Sequence, residues 1–190
     1  MGAELDCFAA LELPKKLRID SQALEAAYHN LGRRIHPDRF SSGSAAVRSA
    51  SLRGTALLTR SYRTLRDPVS RGLYWLELNG QKLGENNQNV PPELAATVFN
   101  VQEELAEMRD AAPALRAGFR EKIEERRAGL EDSMTELKSQ LDVNFAAWDK
   151  RDDGDHRELM VSLKGTLARI AYLRTLIRDV DRELENLKAA

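Results

Sequence analysis

From Leu94 onward the large apolar residues recur at steps of four and three, the spacing that lines one face of a helix lying nearly parallel to its neighbours. Leu94, Val98, Val101, Leu105 and Met108 form the first such seam. Leu115, Phe119, Ile123, Leu130, Met134, Leu137, Leu141, Phe145 and Trp148 form a second. Leu163, Leu167, Ile170, Leu173, Ile177, Val180, Leu184 and Leu187 form a third. Pro113 parts the first seam from the second, because proline lacks the backbone donor a helix interior needs. The run Asp152-Asp153-Gly154-Asp155 parts the second from the third. Long seams joined by short breaks predict an antiparallel three-helix bundle over 93–190. Neither strand-like alternation nor a nucleotide-cradling glycine loop occurs in the chain, so the fold class is all-α.

The first 80 residues are helical too, in shorter pieces. An apolar stretch at about 5–12 ends before Leu13-Pro14. Asp20 or Ser21 then caps a helix carrying Leu24, Tyr28, Leu31 and Ile35 on one face, with Arg33 and Arg34 away from its centre. Pro37 stops that helix, since it disfavours helical backbone at His36. A second long helix, about 45–66, has Val47, Leu58, Tyr62 and Leu65 as its anchors. Asp67-Pro68 pairs an N-cap with a proline at the first helical position, and the helix so begun carries Leu73, Tyr74, Leu76 and Leu78 to Asn79-Gly80. Residues 81–92, rich in Asn and Gln around Gly84, read as a linker between domains at 1–80 and 93–190.

Charge follows the same division. Residues 1–80 carry 12 Lys/Arg against 8 Asp/Glu, a net +4, and residues 81–190 carry 17 against 22, a net −5. Two domains with different partners are the expectation. The basic residues of the front are scattered and lack aromatic neighbours for base stacking, which argues against a nucleic-acid partner. No apolar run reaches the eighteen residues of a membrane span. The start, Met1-Gly2-Ala3-Glu4-Leu5-Asp6, resembles neither a signal nor a transit peptide, and Asp6 sits where a myristoylation motif needs Ser or Thr. The expected compartment is the cytoplasm. The single cysteine, Cys7, beside Phe8, reads as a small buried hydrophobe. His29, His36 and His156 lack metal-ligand spacing, so neither a metal site nor a cofactor is expected.

The most informative residues are Ile35-His36-Pro37-Asp38-Arg39-Phe40. A given tripeptide such as His-Pro-Asp arises by chance in on the order of one chain in a hundred of this size. Here it occupies the turn between two helices. Pro37 stiffens the backbone, the imidazole of His36 and the carboxylate of Asp38 face solvent, and Arg33, Arg34 and Arg39 form a positive rim suited to an acidic partner. The alternative is that Asp38 merely caps the next segment and His36 is a surface residue. A catalytic dyad would need a nucleophile or a metal and a pocket that excludes water, and an exposed turn offers none of these.

In the bundle, Phe99 falls outside the first seam, and Tyr172 and Leu176 form an i, i+4 pair beside the third. Either these residues widen the core face, or they form an apolar patch. Glu103 and Glu107, one and two turns after Phe99, would rim such a patch for a protein partner.

Residues 5–80 resemble a J domain, and the chain as a whole resembles the HscB-type co-chaperones of iron–sulfur cluster assembly. The resemblance is carried by the tripeptide, by Phe40-Ser41-Ser42-Gly43-Ser44, by Tyr62-Arg63-Thr64-Leu65-Arg66-Asp67-Pro68, and by Arg71-Gly72-Leu73-Tyr74-Trp75-Leu76 before Asn79-Gly80. The acidic helix Glu103-Glu104-Leu105-Ala106-Glu107-Met108 carries it into the second domain. It implies that His36, Pro37 and Asp38, assisted by Arg33, Arg34 and Arg39, engage a DnaK-type (HscA-like) chaperone and stimulate its ATPase, the chain itself breaking no bond. It implies further that Phe99, Glu103, Glu107 and Tyr172 hold an iron–sulfur cluster scaffold protein (IscU-like). Ala95, Ala96 and Asn100 fall at positions of the same site where bulkier or acidic residues are usual, which makes it shallower. Thr59 and Ser61 also depart from the J-domain pattern, and 144–155 looks longer than in compact relatives. A J protein with a different client is the alternative, and a coiled-coil protein with a fortuitous tripeptide is another.

Overall fold

The computed structural model describes residues 6–83, 90–111, 116–150 and 156–189, and the side chains of all of these but 116, 117 and 187–189. Met1–Leu5, linker residues 84–89, Pro113, Leu115, the Asp152–Asp155 turn and the side chain of Leu187 lie outside that description. Every described element is helical: α1 (Cys7–Ala10), α2 (Ser21–Ile35), α3 (Ala45–Arg66), α4 (Pro68–Leu78), α5 (Ala95–Asp110), α6 (Arg116–Asp149) and α7 (Arg157–Ala189). Short 3-10 turns at Pro37–Phe40 and Pro92–Leu94 precede α3 and α5. Contacts divide the chain into two compact units, residues 1–81 with 145–155, and residues 82–144 with 156–190.

In the first unit α3 is the hub, packed against α1, α2 and α4. Each helix begins where a side chain accepts an otherwise orphaned N–H. Asp6 accepts from Ala9, Asp20 from Gln22, Ser44 from Val47 and Asp67 from Ser70. Two helices end in Schellman turns. Leu13 N–H reaches the Phe8 carbonyl (2.9 Å) with Glu12 at φ 54°, and Gln81 N–H reaches the Leu76 carbonyl (2.8 Å) with Gly80 at φ 67°. Gly80 suits the left-handed conformation, and Glu12 adopts it at a steric cost.

Phe8, with no exposed surface, lies against Tyr74 at 6.2 Å and edge-on to Trp75 at 5.8 Å. Cys7 is buried, and its backbone N–H donates to the Tyr74 hydroxyl at 2.9 Å. Burial pushes that phenol up to about 12, against the Cys7 backbone N–H bond, which favours the phenolate.

The last turn of α6 completes this core. Trp148 meets Trp75 edge-on at 5.8 Å, and the buried Arg71 guanidinium stands 5.2 Å over the Phe145 ring while donating to the Leu65 carbonyl at 2.7 Å. Phe145 and Trp148, which continue the second seam in sequence, therefore pack in the first unit. Val47, expected as an anchor of α3, is 43% exposed. All of residues 44–50 are exposed, so α3 starts with turns that lie at the surface.

The second unit buries its seams along α5, α6 and α7: Val101, Leu105 and Met108; Ile123, Leu130, Met134 and Leu141; Leu163, Leu167, Ile170, Leu173, Val180 and Leu184. On α7 the seam takes Leu176 (3% exposed) in preference to the half-buried Ile177. Leu176 is thus core and not part of a surface patch with Tyr172.

Polar pairs tie the three helices together. Glu104 on α5 receives two bonds from Arg126 on α6 (2.9 and 2.5 Å), Arg127 on α6 pairs with Asp181 on α7, and Arg109 on α5 pairs with Glu183 on α7 at 2.8 Å. Nearer the start of α7, Asn144 donates to Thr166 at 3.0 Å and accepts from Ser162 at 3.0 Å, a buried polar lock between α6 and α7. Along α6 the partners on α7 fall in number as those on α6 rise, 127 with 181 and 144 with 166, so the two run antiparallel.

Candidate functional site

The tripeptide forms the joint between α2 and α3. His36 ends α2 in extended backbone (φ −58°, ψ 133°), which a residue before proline favours, and Pro37 opens the 3-10 turn that includes Asp38. His36 Nδ1 accepts the Asp38 N–H at 3.3 Å and lies 3.4 Å from Asp38 Oδ2. Both side chains stand out from the surface, His36 56% and Asp38 90% exposed. The pair displays an imidazole and a carboxylate a few ångströms apart.

The frame behind this display is firm. Tyr28 on α2 stacks on Tyr62 on α3, ring centres 4.3 Å apart and planes 17° from parallel. Ser51 Oγ donates to the Ile35 carbonyl at 2.6 Å, holding the last turn of α2 to α3.

The arginines are disposed differently from one another. Arg33 donates to Asn30 at 2.5 Å, Arg34 stands 3.5 Å from Glu12, and Arg39 reaches the Arg33 carbonyl at 3.5 Å. All three are exposed, Arg33 and Arg39 bordering the turn and Arg34 leaning toward the end of α1. Ser51, which holds the turn from the partner helix, carries no motif of its own in the sequence.

In the second unit Phe99 is 66% exposed, far outside the α5 seam. At about 100° per residue, Ala95, Ala96, Phe99, Asn100, Glu103 and Glu107 share an outward arc of about 140°, and all six are exposed. Both α5 and α7 run antiparallel to α6, so they run parallel to each other, and Arg109 with Glu183 sets their offset at 74 residues. Carried back from 109 to 99, that offset arrives beside 173. Phe99 and the half-buried Tyr172 therefore stand within about one helical turn, ~5.4 Å, of the same height. Among the described residues, no three His, Cys, Asp or Glu side chains gather as a metal site would require. No described helix is long and apolar enough to cross a membrane.

Fold and display together define a helical binding protein, one unit presenting a rigid polar turn and the other an outward face with a single aromatic at its centre. No family profile matches the chain. Individual relatives do. It is 35% identical over 192 residues, covering 99% of both chains, to the co-chaperone protein HscB homolog of Cupriavidus taiwanensis. It is 36% identical over 133 residues, 70% of this chain and 79% of the relative, to the homolog from Bordetella avium. The fold matches the chaperone HscB from Vibrio cholerae with a TM-score of 0.68 at 20% identity, over 96% of this chain and 99% of that one. It matches human co-chaperone HscB with a TM-score of 0.69 at 23% identity, over 93% and 80%. The chain belongs to the HscB co-chaperone family. Its fold is a J domain followed by an antiparallel three-helix bundle.

Proposed function

We propose that this co-chaperone stimulates ATP hydrolysis by a DnaK-type (HscA-like) chaperone and delivers to it an iron–sulfur cluster scaffold protein (IscU-like). The division of labour follows the two units: residues 1–80, with the end of α6 in the same unit, meet the chaperone, the rest of 93–190 meets the client, and 81–92 join them. The observation that carries the reading is the turn itself: His36 and Asp38 in contact with each other, exposed, and bordered by Arg33 and Arg39, with Arg34 exposed toward the end of α1. An imidazole beside a carboxylate can bridge two polar groups of a partner at fixed spacing, and the arginines draw in an acidic surface. The chain then acts by differential binding, favouring whichever state of the chaperone fits the turn, and hydrolysis is the chaperone's own.

For the client, Phe99 and Tyr172 supply apolar anchors, Glu103 and Glu107 an acidic border, and Ala95, Ala96 and Asn100 a shallow floor. The cluster is cargo carried by the scaffold, no resident metal or cofactor is invoked, and the setting is the cytoplasm. A second reading, a J protein with another client, draws on the small side chains at 95, 96 and 100. Single-turnover ATP hydrolysis by the chaperone tests the first half directly. Wild type accelerates it and His36→Gln does not; equal acceleration by both would remove the turn from the mechanism.

A further inference from the structure

We infer that Asp149, the last residue of α6, is a positioning residue for the His36-Pro37-Asp38 turn, acting through the start of the helix that ends in it. This rests on the reading that the turn engages the chaperone. Both oxygens of the Asp149 carboxylate are used, Oδ1 accepting the Leu17 N–H at 2.8 Å and Oδ2 the Arg18 N–H at 2.7 Å. Two adjacent amides held by one carboxylate fix both the place and the direction of the chain there, and a charged acceptor makes the bonds short and strong. Leu17 is fully buried, and two residues beyond the clamp Asp20 caps α2.

The clamp fixes where the chain enters α2. Leu24, in the first turn, is the fully buried side chain of α2, and Leu31 and Ile35 are half-buried. Toward its end the helix is tied to α3 by the Tyr28–Tyr62 stack and by Ser51 on the Ile35 carbonyl. With the clamp open, those two ties remain but the helix start is released, and α2 gains freedom to slide and turn along α3. His36 sits at the other end of the same rigid rod. Its offset from α3 then becomes a distribution in place of one value. A partner that fits only the native arrangement sees the fraction in that arrangement, so its apparent affinity falls while the complex, once formed, is unchanged.

The experiment is a titration of the cognate DnaK-type ATPase with full-length chain, wild type, Asp149→Asn, Asp149→Glu and His36→Gln. Amide exchange at Leu17 and Arg18 and a thermal melt accompany each protein. Asparagine keeps the shape but turns an NH2 toward one of the two amides, and glutamate keeps the charge one methylene further out. The expected result is at least tenfold faster exchange at Leu17 and Arg18 in Asp149→Asn. The concentration for half-maximal stimulation rises severalfold, the maximum is retained, and Asp149→Glu falls between Asp149→Asn and wild type. If Asp149→Asn does not fold, Asp149→Glu carries the comparison. A lowered melting point with a stimulation curve superimposable on wild type would make Asp149 structural only and overturn the inference. His36→Gln separates the two failures: if it stimulates like wild type, the reading beneath the inference falls instead.

Discussion

Phe99 and Leu105 lie six residues apart on α5, and truncating each to alanine separates surface from core. Leu105 is 1% exposed, and Leu→Ala at such a position costs about 2–5 kcal/mol, counting the cavity left behind. Phe99 is 66% exposed. A fully enclosed phenylalanine removes about 150–250 Å² from water, so the enclosed third amounts to roughly 50–80 Å². At about 25 cal/mol per Å² that is ~1–2 kcal/mol, and the better helix propensity of alanine returns ~0.5 kcal/mol. Phe99→Ala is therefore expected to cost ~1 kcal/mol, a fall of about 2–4 °C in Tm for a chain of this size. Its affinity for the scaffold protein behaves oppositely. Loss of a central aromatic anchor is worth at least about 2 kcal/mol, near a thirtyfold rise in Kd. Circular-dichroism melts of both variants and a calorimetric titration of Phe99→Ala with the scaffold provide the comparison. A melt as damaged as that of Leu105→Ala would mean that Phe99 serves the core, and an unchanged Kd would remove it from the client face.

Other consequences are local. Partial burial pushes the Asp6 carboxyl up, but the hydrogen bond and charge of Lys15 at 2.6 Å and the Ala9 N–H outweigh this and hold it below the ordinary carboxylate range. A depressed carboxyl stabilises the fold above its unfolded pKa, near 3.9, and loses that contribution as pH falls through the folded value. The stability gap between wild type and Asp6→Asn is thus expected to be constant near neutrality and to close below about pH 4, read by chemical denaturation. Glu12→Gly relieves a left-handed residue and should raise stability by about 0.5–1 kcal/mol, whereas Gly80→Ala should lower it by a similar amount, both measured by urea unfolding. Asn144→Ala takes a partner from Ser162 and from the buried Thr166 and should cost about 1–3 kcal/mol in the same assay.

Local features of this chain were legible before its structure, because the signals are themselves local. The caps at Asp20 and Asp67, the stop at Pro37 and the off-seam position of Phe99 each depend on neighbours within a turn or two. Three features are not of that kind. The choice of Leu176 over Ile177 depends on where α5 and α6 stand around α7, since neighbouring apolar residues at 176 and 177 both border the seam in sequence. Val47 keeps the spacing of a core residue, but it stands on surface turns of α3, and periodicity reports a face without reporting how much packs on it. Phe145, Trp148 and Asp149 continue a bundle seam in sequence while serving the first unit, across separations of 131 and 132 residues at the Asp149 clamp. The tripeptide was legible as chemistry, but Ser51 behind it is a small residue whose role exists only once α2 lies against α3.

Steady-state ATPase of the cognate DnaK-type chaperone, with scaffold protein present, tests the two-site account most directly. Wild type, His36→Gln and the double variant Phe99→Ala/Tyr172→Ala are compared across scaffold concentration. The account predicts that wild type stimulates, that His36→Gln fails at every scaffold concentration, and that the double variant recovers toward wild type as scaffold is raised. A double variant indistinguishable from wild type at low scaffold would contradict the client assignment, and a fully active His36→Gln would contradict the account as a whole.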